Sequence, residues 1–116
     1  MIRKDELPYC PIATMLQLIG SKWKILIIQQ LEQRVCRFNE LLKALDGISR
    51  HVLSESLRAL ESDGLIDRKT VPDLPWFVEY TLSDLGMSLL PVLQEMAKWG
   101  SYYKQRRAQL INNGNG

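Results

Sequence analysis

Two cysteines and one histidine are the residues of this 116-residue sequence best suited to covalent or metal chemistry. Cys10 and Cys36 do not form a CxxC pair, and with His51 they supply too few ligands for a Cys/His zinc site. A cysteine nucleophile needs a base and an oxyanion device, and the sequence has no pattern typical of either. We therefore expect no metal, no cofactor and no enzymatic activity.

A polar face in residues 50–62 indicates a different chemistry, the recognition of nucleic acid. At about 100° per residue, Leu53, Leu57 and Leu60 cluster on one side of a helix. The polar side chains opposite or beside them are those of His51, Ser54, Glu55, Arg58 and Ser62. Such a helix can dock on a core and reach base edges in the major groove. Every surface helix has a polar face, however, and Glu55 repels phosphate unless it accepts from a cytosine amino group.

The chain around this segment is predicted to be helical. Apolar residues at helical spacing predict helices over residues 11–19, 22–32, 38–45 and 50–62. Val35-Cys36-Arg37 is typical of a brief strand, and Asp46-Gly47 breaks the chain before Ser49, which can cap the last of these helices. Two short helices joined by a glycine-containing turn make residues 38–63 a helix-turn-helix candidate.

After Gly64 the pattern changes to extended chain. The alternation over residues 77–82 has the period of a half-buried strand. Pro72 and Pro75 are expected in the connection between two strands, where no ladder hydrogen bond is lost. A hairpin over about residues 65–82, directly after a helix-turn-helix, is a wing.

The placement of charges favours DNA as the partner. The net charge of +2 is ordinary for a soluble protein, so the total is weak evidence. Arg68 and Lys69 on a projecting hairpin can neutralise phosphates, although two cations on a strand are more often a solvated face. The alternative is a winged-helix module that binds protein, and acidic residues such as Glu55 and Asp67 moderate the case for DNA.

A long helical region is predicted from residue 83 to residue 111. Its apolar side chains include Leu85, Leu89, Leu93, Met96 and Tyr103. Pro91 should kink this region or divide it, because proline lacks a backbone donor and clashes with the preceding turn. The region is too long and too apolar for a domain of this size to cover, so we expect a dimer. Residues 112–116 are expected to form a disordered tail.

The sequence predicts one domain and no membrane segment. The chain is 46% hydrophobic and has the length of a single domain. Its longest apolar run, residues 25–28, is far shorter than the roughly 18 to 20 residues of a membrane span. The N-terminus lacks the apolar segment of a signal peptide, so we expect a cytoplasmic protein.

Short fragments along the chain are each weak alone but highly specific in this order and at these spacings. They are Cys10-Pro11, Ile19-Gly20-Ser21-Lys22-Trp23, Arg37-Phe38-Asn39-Glu40-Leu41, Gly47-Ile48-Ser49, Leu53-Ser54-Glu55-Ser56-Leu57-Arg58-Ala59-Leu60-Glu61, Asp63-Gly64-Leu65-Ile66, Val78-Glu79-Tyr80 and Leu85-Gly86. Through them the sequence resembles the HxlR family of transcriptional regulators, from Cys10 to about Tyr103.

The resemblance implies a winged helix-turn-helix fold, mainly α with a small β-hairpin, over residues 10–111 after an N-terminal arm of residues 1–9. It also implies a homodimer built from the first and last helices, about residues 11–19 and 83–111. Such a dimer would regulate transcription, with repression the expected sign, through inverted-repeat operator DNA.

Carried over by position, the resemblance also predicts the residues that bind DNA. Those on the recognition helix are Ser49, Arg50, His51, Ser54, Glu55 and Arg58. Ser56 and Phe77 stand where family members often have cations. Phosphate contacts are therefore expected to be fewer, or to be made by Lys22, Arg37, Arg68 and Lys69.

Cys10 occupies a position where some members of the family carry a thiol that senses electrophiles or oxidants. Sensing requires an exposed thiolate, and the N-terminus of the helix just after Cys10 would favour that form. The alternative is a buried cysteine that behaves as a small apolar residue. Cys36, in the short strand, is expected to be structural.

The expected partners are double-stranded DNA, a second copy of the chain and an electrophile or small-molecule effector, with no membrane.

Overall fold

A computed structural model of the chain describes residues 7–114. Within them the chain forms six helices and one two-stranded antiparallel sheet. In chain order these are α1 (Pro11–Ile19), α2 (Lys22–Gln33), α3 (Phe38–Ala44), α4 (Arg50–Ser62), β1 (Ile66–Val71), β2 (Leu74–Leu82), α5 (Asp84–Ser88) and α6 (Leu90–Gly114). The helix-turn-helix followed by a hairpin confirms the predicted winged helix-turn-helix.

The core is centred on α2. Ile27 and Ile28 are completely buried, and fully buried side chains from α3, α4 and β1 belong to the same apolar cluster. A helix with apolar residues around most of its circumference must be surrounded by other elements if water is to be excluded from all of it. The central position predicted for this helix is confirmed.

The turn between α3 and α4 depends on local chemistry visible in the sequence. Gly47 has a φ of 88°, a left-handed conformation that side chains rarely tolerate. Ile48 is buried beneath the turn, and Ser49 Oγ accepts a hydrogen bond from the Val52 N–H at 3.1 Å. This bond satisfies one of the donors left free at the start of a helix, so the predicted cap is confirmed.

The hairpin corrects one prediction. β1 and β2 pair from Ile66 opposite Leu82 to Val71 opposite Leu74, and only Pro72 and Asp73 form the turn. Pro75 therefore lies within β2, not in the connection. A register shift beside Val71 leaves Pro75 and the two residues after it without partners on β1. The missing proline N–H thus costs no ladder hydrogen bond, and the sequence alone did not reveal this bulge.

The brief strand predicted at residues 35–37 is a single pair of residues. Cys36 N–H donates to the Tyr80 carbonyl at 3.1 Å, and Tyr80 N–H donates to the Cys36 carbonyl at 2.8 Å. These two bonds attach the segment before α3 to the free edge of β2.

Pro91 divides the C-terminal helical region, as predicted. α5 ends at Ser88, and Pro91 is the second residue of α6, where a helix needs no backbone donor. The prediction of a disordered tail from residue 112 is wrong for residues 112–114, since α6 continues through Gly114. Each residue that extends an existing helix adds a hydrogen bond, which outweighs weak local propensity. Residues 115–116 of that tail, and residues 1–6 of the predicted arm, lie outside the described residues.

Within residues 7–114 no single helix has the length and hydropathy needed to cross a membrane. α1 and α2 reach the required length and composition only together, and a bend of 77° separates them. Both contribute to the core, α1 through the buried Ile19.

The close packing of α5 on the hairpin gives a test of the fold. A Cβ at the buried Gly86 would collide with the Leu65 carbonyl oxygen, so Gly86→Ala should lower the free energy of unfolding by about 1 to 3 kcal/mol. At Gly100 in α6 a Cβ meets no neighbouring atom within 4 Å. Gly100→Ala, the control, should therefore raise that free energy by about 0.5 to 1 kcal/mol. Urea denaturation followed by circular dichroism measures both, and unchanged stability of Gly86→Ala would contradict this packing.

Candidate nucleic-acid interface

The outer face of α4 carries most of the residues predicted to contact DNA. Leu53 and Leu57 turn inward and are buried. The side chains on the outer face are exposed: Arg50, His51, Glu55 and Arg58. Ser54 is partly buried at the side of this face, and Ser49 is engaged as the N-cap. The structure thus places His51, Ser54, Glu55 and Arg58 on the face that the helical wheel predicted, with Arg50 at the start of the same helix.

Two arginines of α4 have side-chain partners within the chain. Arg58 donates to the Glu55 carboxylate at 3.1 Å, and both side chains are more than half exposed. The Arg50 guanidinium lies 5.9 Å from the centre of the Phe38 ring, at the start of α3. Exposed ion pairs contribute little stability, so the pair on α4 can rearrange at low cost when a ligand approaches.

Ser56 lies on the inner face of α4. It is only 7% exposed, one helical turn after Leu53 and one before Leu60. A cation at this position would have to leave the core to reach a phosphate. The buried position explains why a serine is tolerated here, and the expectation of fewer or relocated phosphate contacts stays a prediction.

Arg37 is brought against the wing. Its guanidinium carbon lies 4.5 Å from the centre of the Phe77 ring on β2. Sequence reasoning missed this contact because the two residues are distant in the chain. They meet only because the bridge from Cys36 to Tyr80 joins their segments.

Glu40 caps the N-terminus of α3. It accepts a hydrogen bond from the Arg37 backbone N–H at 2.8 Å and another from Arg34 Nη1 at 2.9 Å. These interactions lower the pKa of Glu40, chiefly through the backbone bond from Arg37 and secondarily through Arg34. Sequence reasoning also missed this pair, although glutamate at the third position of a helix is a recognised capping pattern.

The remaining predicted cations lie on other elements. Arg68 and Lys69 are exposed on β1, where their partners in the register are Tyr80 and Glu79. Lys22 begins α2, and its ammonium lies 4.6 Å from the centre of the neighbouring Trp23 ring. Lys22 thus packs within its own helix, whereas Arg37 packs on Phe77 of the hairpin and Arg68 lies opposite Tyr80.

The two thiols have different environments. Cys10 is exposed and caps α1 through its backbone, with its carbonyl accepting from Thr14 N–H at 3.1 Å. Cys36 is 1% exposed, and burial raises the pKa of its thiol. Its Sγ lies 3.6 Å from the Arg34 carbonyl oxygen, to which the thiol can donate. The buried alternative for Cys10 is wrong, and Cys36 packs in the core. Among residues 7–114 there is no cluster of three or more His, Cys, Asp or Glu side chains that could hold a metal.

A second surface, formed by α1 and α6, is apolar. Its largest exposed side chains include Ile12, Leu16, Met96, Trp99 and Tyr103. Trp99 and Tyr103 stack with their ring centres 5.6 Å apart. A groove of about 400 Å³ runs between these helices and the start of α2. Such a surface suits contact with another apolar surface and not with a charged duplex.

Comparisons with known proteins agree with this architecture. The family model described as HxlR-like helix-turn-helix matches residues 18–108. The uncharacterised HTH-type transcriptional regulator YdeP of Bacillus subtilis strain 168 is 40% identical over 102 residues, which are 88% of this chain and 80% of YdeP.

Solved structures are similar over most of the chain. A candidate MarR-family transcriptional regulator of Enterococcus faecalis V583 has a TM-score of 0.75 at 40% identity, covering 85% of this chain and 90% of the other. The quinone-bound YodB of Bacillus subtilis has a TM-score of 0.69 at 33% identity, covering 80% of this chain and 99% of YodB.

Proposed function

Because the chain belongs to the HxlR-like helix-turn-helix family of transcriptional regulators, we propose that it binds operator DNA through α4 and the hairpin. The observation that carries this proposal is the exposure of Arg50, His51 and Arg58 on a helix whose opposite face is buried. An α-helix fits the major groove, and arginine can form two hydrogen bonds with guanine there. The role is non-enzymatic, and we place it in the cytoplasm, where operator DNA lies.

The unit that binds DNA in this proposal is a homodimer. α1 and α6 expose Leu16, Trp99 and other large apolar side chains, and contiguous surfaces of this kind are typical of protein interfaces. A two-fold dimer would present two copies of α4 to half-sites about 34 to 36 Å apart, which corresponds to an inverted repeat. A dimer seated on both half-sites excludes other proteins from that DNA, so repression is the sign that we propose.

We also propose that Cys10 regulates the dimer. The exposed thiol immediately precedes α1, and α1 contributes Ile12 and Leu16 to the proposed dimer surface. The Cys10 sulfur would add to a ring carbon of a quinone and displace the ring's π electrons onto oxygen. The thiol proton and the proton of the attacked ring carbon would pass through solvent to the two quinone oxygens, which leaves a thioether-substituted hydroquinone. An oxidant would instead convert two Cys10 thiols to an intersubunit disulfide as it takes up two electrons and two protons. Either change can turn the subunits relative to each other and separate the two copies of α4 from their half-sites. The similarity to quinone-bound YodB supports this proposal.

Replacing Arg50 or Arg58 with alanine tests the recognition surface. Each change should weaken binding to a duplex that the parent protein selects from a random library, by about 1 to 3 kcal/mol if the arginine contacts a base. Preference should relax at one position in each half-site. Arg107→Ala, which removes an exposed charge from α6, is the control and should bind as the parent does. If both α4 variants bind selected and scrambled duplexes as the parent does, the surface is wrongly assigned.

Light scattering tests the dimer. The parent should have twice the 13.4 kDa mass of one chain. Leu16→Asp should yield the single-chain mass at micromolar concentration, because a carboxylate is costly to bury in an apolar interface. Val71→Asp places the same group at an exposed apolar position of the hairpin and should remain dimeric. A parent protein with the mass of one chain would rule out the two-half-site mechanism.

The thiol proposal predicts that DNA affinity responds to diamide or benzoquinone through Cys10 alone. The parent and Cys36→Ala should lose most of their affinity for the selected duplex after treatment, whereas Cys10→Ser should keep it. Dithiothreitol should restore affinity after diamide, because disulfides are reversible. Equal losses in the parent and Cys10→Ser would exclude Cys10 as the switch.

A further inference from the structure

The contact between Arg37 and Phe77 joins the helix-turn-helix to the hairpin. Phe77 is half-buried on β2, and the Trp76 ring meets it edge to face with ring centres 6.3 Å apart. The residue before Arg37 is held by two backbone hydrogen bonds to Tyr80, three positions after Phe77. The segment of Arg37 is therefore anchored by backbone pairing, and the Phe77 ring contacts both Arg37 and Trp76.

The Arg37 guanidinium is held by an aromatic ring and not by a carboxylate, so its positive charge remains available to a ligand. The nearest carboxylate in sequence, Glu40, accepts from the Arg37 backbone and pairs its other oxygen with the side chain of Arg34. Within residues 7–114 the Arg37 guanidinium forms no ion pair. An aromatic ring holds a guanidinium by its flat face and leaves in-plane N–H groups able to donate.

The same residues border an open groove of about 510 Å³ between α3 and β2. Its polar lining includes Arg37, Asn39 and Glu40, and its apolar lining includes Trp76 and Val78. The carboxylate in this lining already has a cationic partner in Arg34, which reduces its repulsion of an anion. The groove therefore offers a guanidinium and an amide to an anionic ligand such as a phosphodiester.

We propose that Phe77 is a positioning residue for DNA binding: its ring holds Arg37 so that the guanidinium contacts a backbone phosphate beside the wing. This inference rests on the proposed function. Phe77 itself carries no charge. Its proposed role is to hold the guanidinium of Arg37, the residue before α3, beside the wing. The contact supplies affinity without sequence preference, as phosphate contacts do.

The experiment measures the affinity of Arg37→Ala, Phe77→Leu, Phe77→Tyr and the double variant Arg37→Ala/Phe77→Leu for selected and scrambled duplexes. Salt is varied from about 50 to about 200 mM, because the slope of log affinity against log salt becomes shallower by about 0.9 for each phosphate that the protein no longer neutralises. Arg37→Ala and Phe77→Leu should both reduce this slope on both duplexes. Phe77→Leu should also weaken affinity by about 2- to 5-fold per protomer. The double variant should bind no more weakly than Arg37→Ala, and Phe77→Tyr should bind as the parent does.

Controls separate this proposal from the proposed function. Arg107→Ala removes a charge from α6 and should leave the slope unchanged. Phe77→Ile serves if Phe77→Leu does not fold, since a β-branched residue suits the strand. A reduced slope in Arg37→Ala but not in Phe77→Leu would overturn the positioning role alone. An unchanged slope in Arg37→Ala would overturn the phosphate contact. A loss of thermal stability without a change of slope in Phe77→Leu would show that Phe77 only stabilises the fold and would likewise overturn the positioning role. A parent that binds no duplex would overturn both this inference and the proposed function.

Discussion

The burial of α2 is the constraint on which the rest of the structure depends. Complete burial of Ile27 and Ile28 contributes on the order of 1.5 to 3 kcal/mol for each side chain, and this requires apolar partners on several sides. α3, α4 and the hairpin supply those partners through Leu41, Leu53 and Ile66. α4 can therefore present one face to a ligand only because its other face completes the core around α2.

A core of this size leaves other apolar surface uncovered. α6 is 25 residues long and has only one buried side chain, that of Leu93. Its aromatic residues and the outer side of α1 remain exposed, and no other element among residues 7–114 covers them. The two surfaces therefore lie on different elements. α4 and the hairpin, which pack around α2, form the polar surface proposed for DNA. α1 and α6, at the edge of the core, form the apolar surface proposed for a second copy.

The sequence predicted what local chemistry determines. Gly47, Ser49 and Pro91 act within a few residues of themselves, and the turn, the cap and the helix break all lie where they were expected. The structure departs from prediction where the outcome depends on distant partners. Pro75 fits within β2 because the register of β1 shifts opposite it, and Arg37 meets Phe77 because Cys36 pairs with Tyr80. The periodicity of one segment does not reveal a bulge in its pairing or a side-chain contact with a distant segment.

The positions of the arginines also explain how a chain with a net charge of only +2 can present a surface suited to DNA. Long-range attraction from such a charge is weak, so affinity must come from cations placed at short range. An arginine side chain carries about 2 kcal/mol of rotamer entropy, part of which is lost when it binds a ligand. Phe77 and Phe38 restrict Arg37 and Arg50 before any ligand arrives and leave their charge intact. Glu55 pairs with Arg58 and offsets its charge, so in the proposed complex Arg58 would exchange this ion pair for a contact with DNA. Guanine offers two acceptors that match the guanidinium, whereas a phosphate contact carries no sequence information. In the proposed complex Arg58, on the helix that would enter the major groove, is therefore suited to reading sequence, and Arg37 is suited to anchoring the duplex.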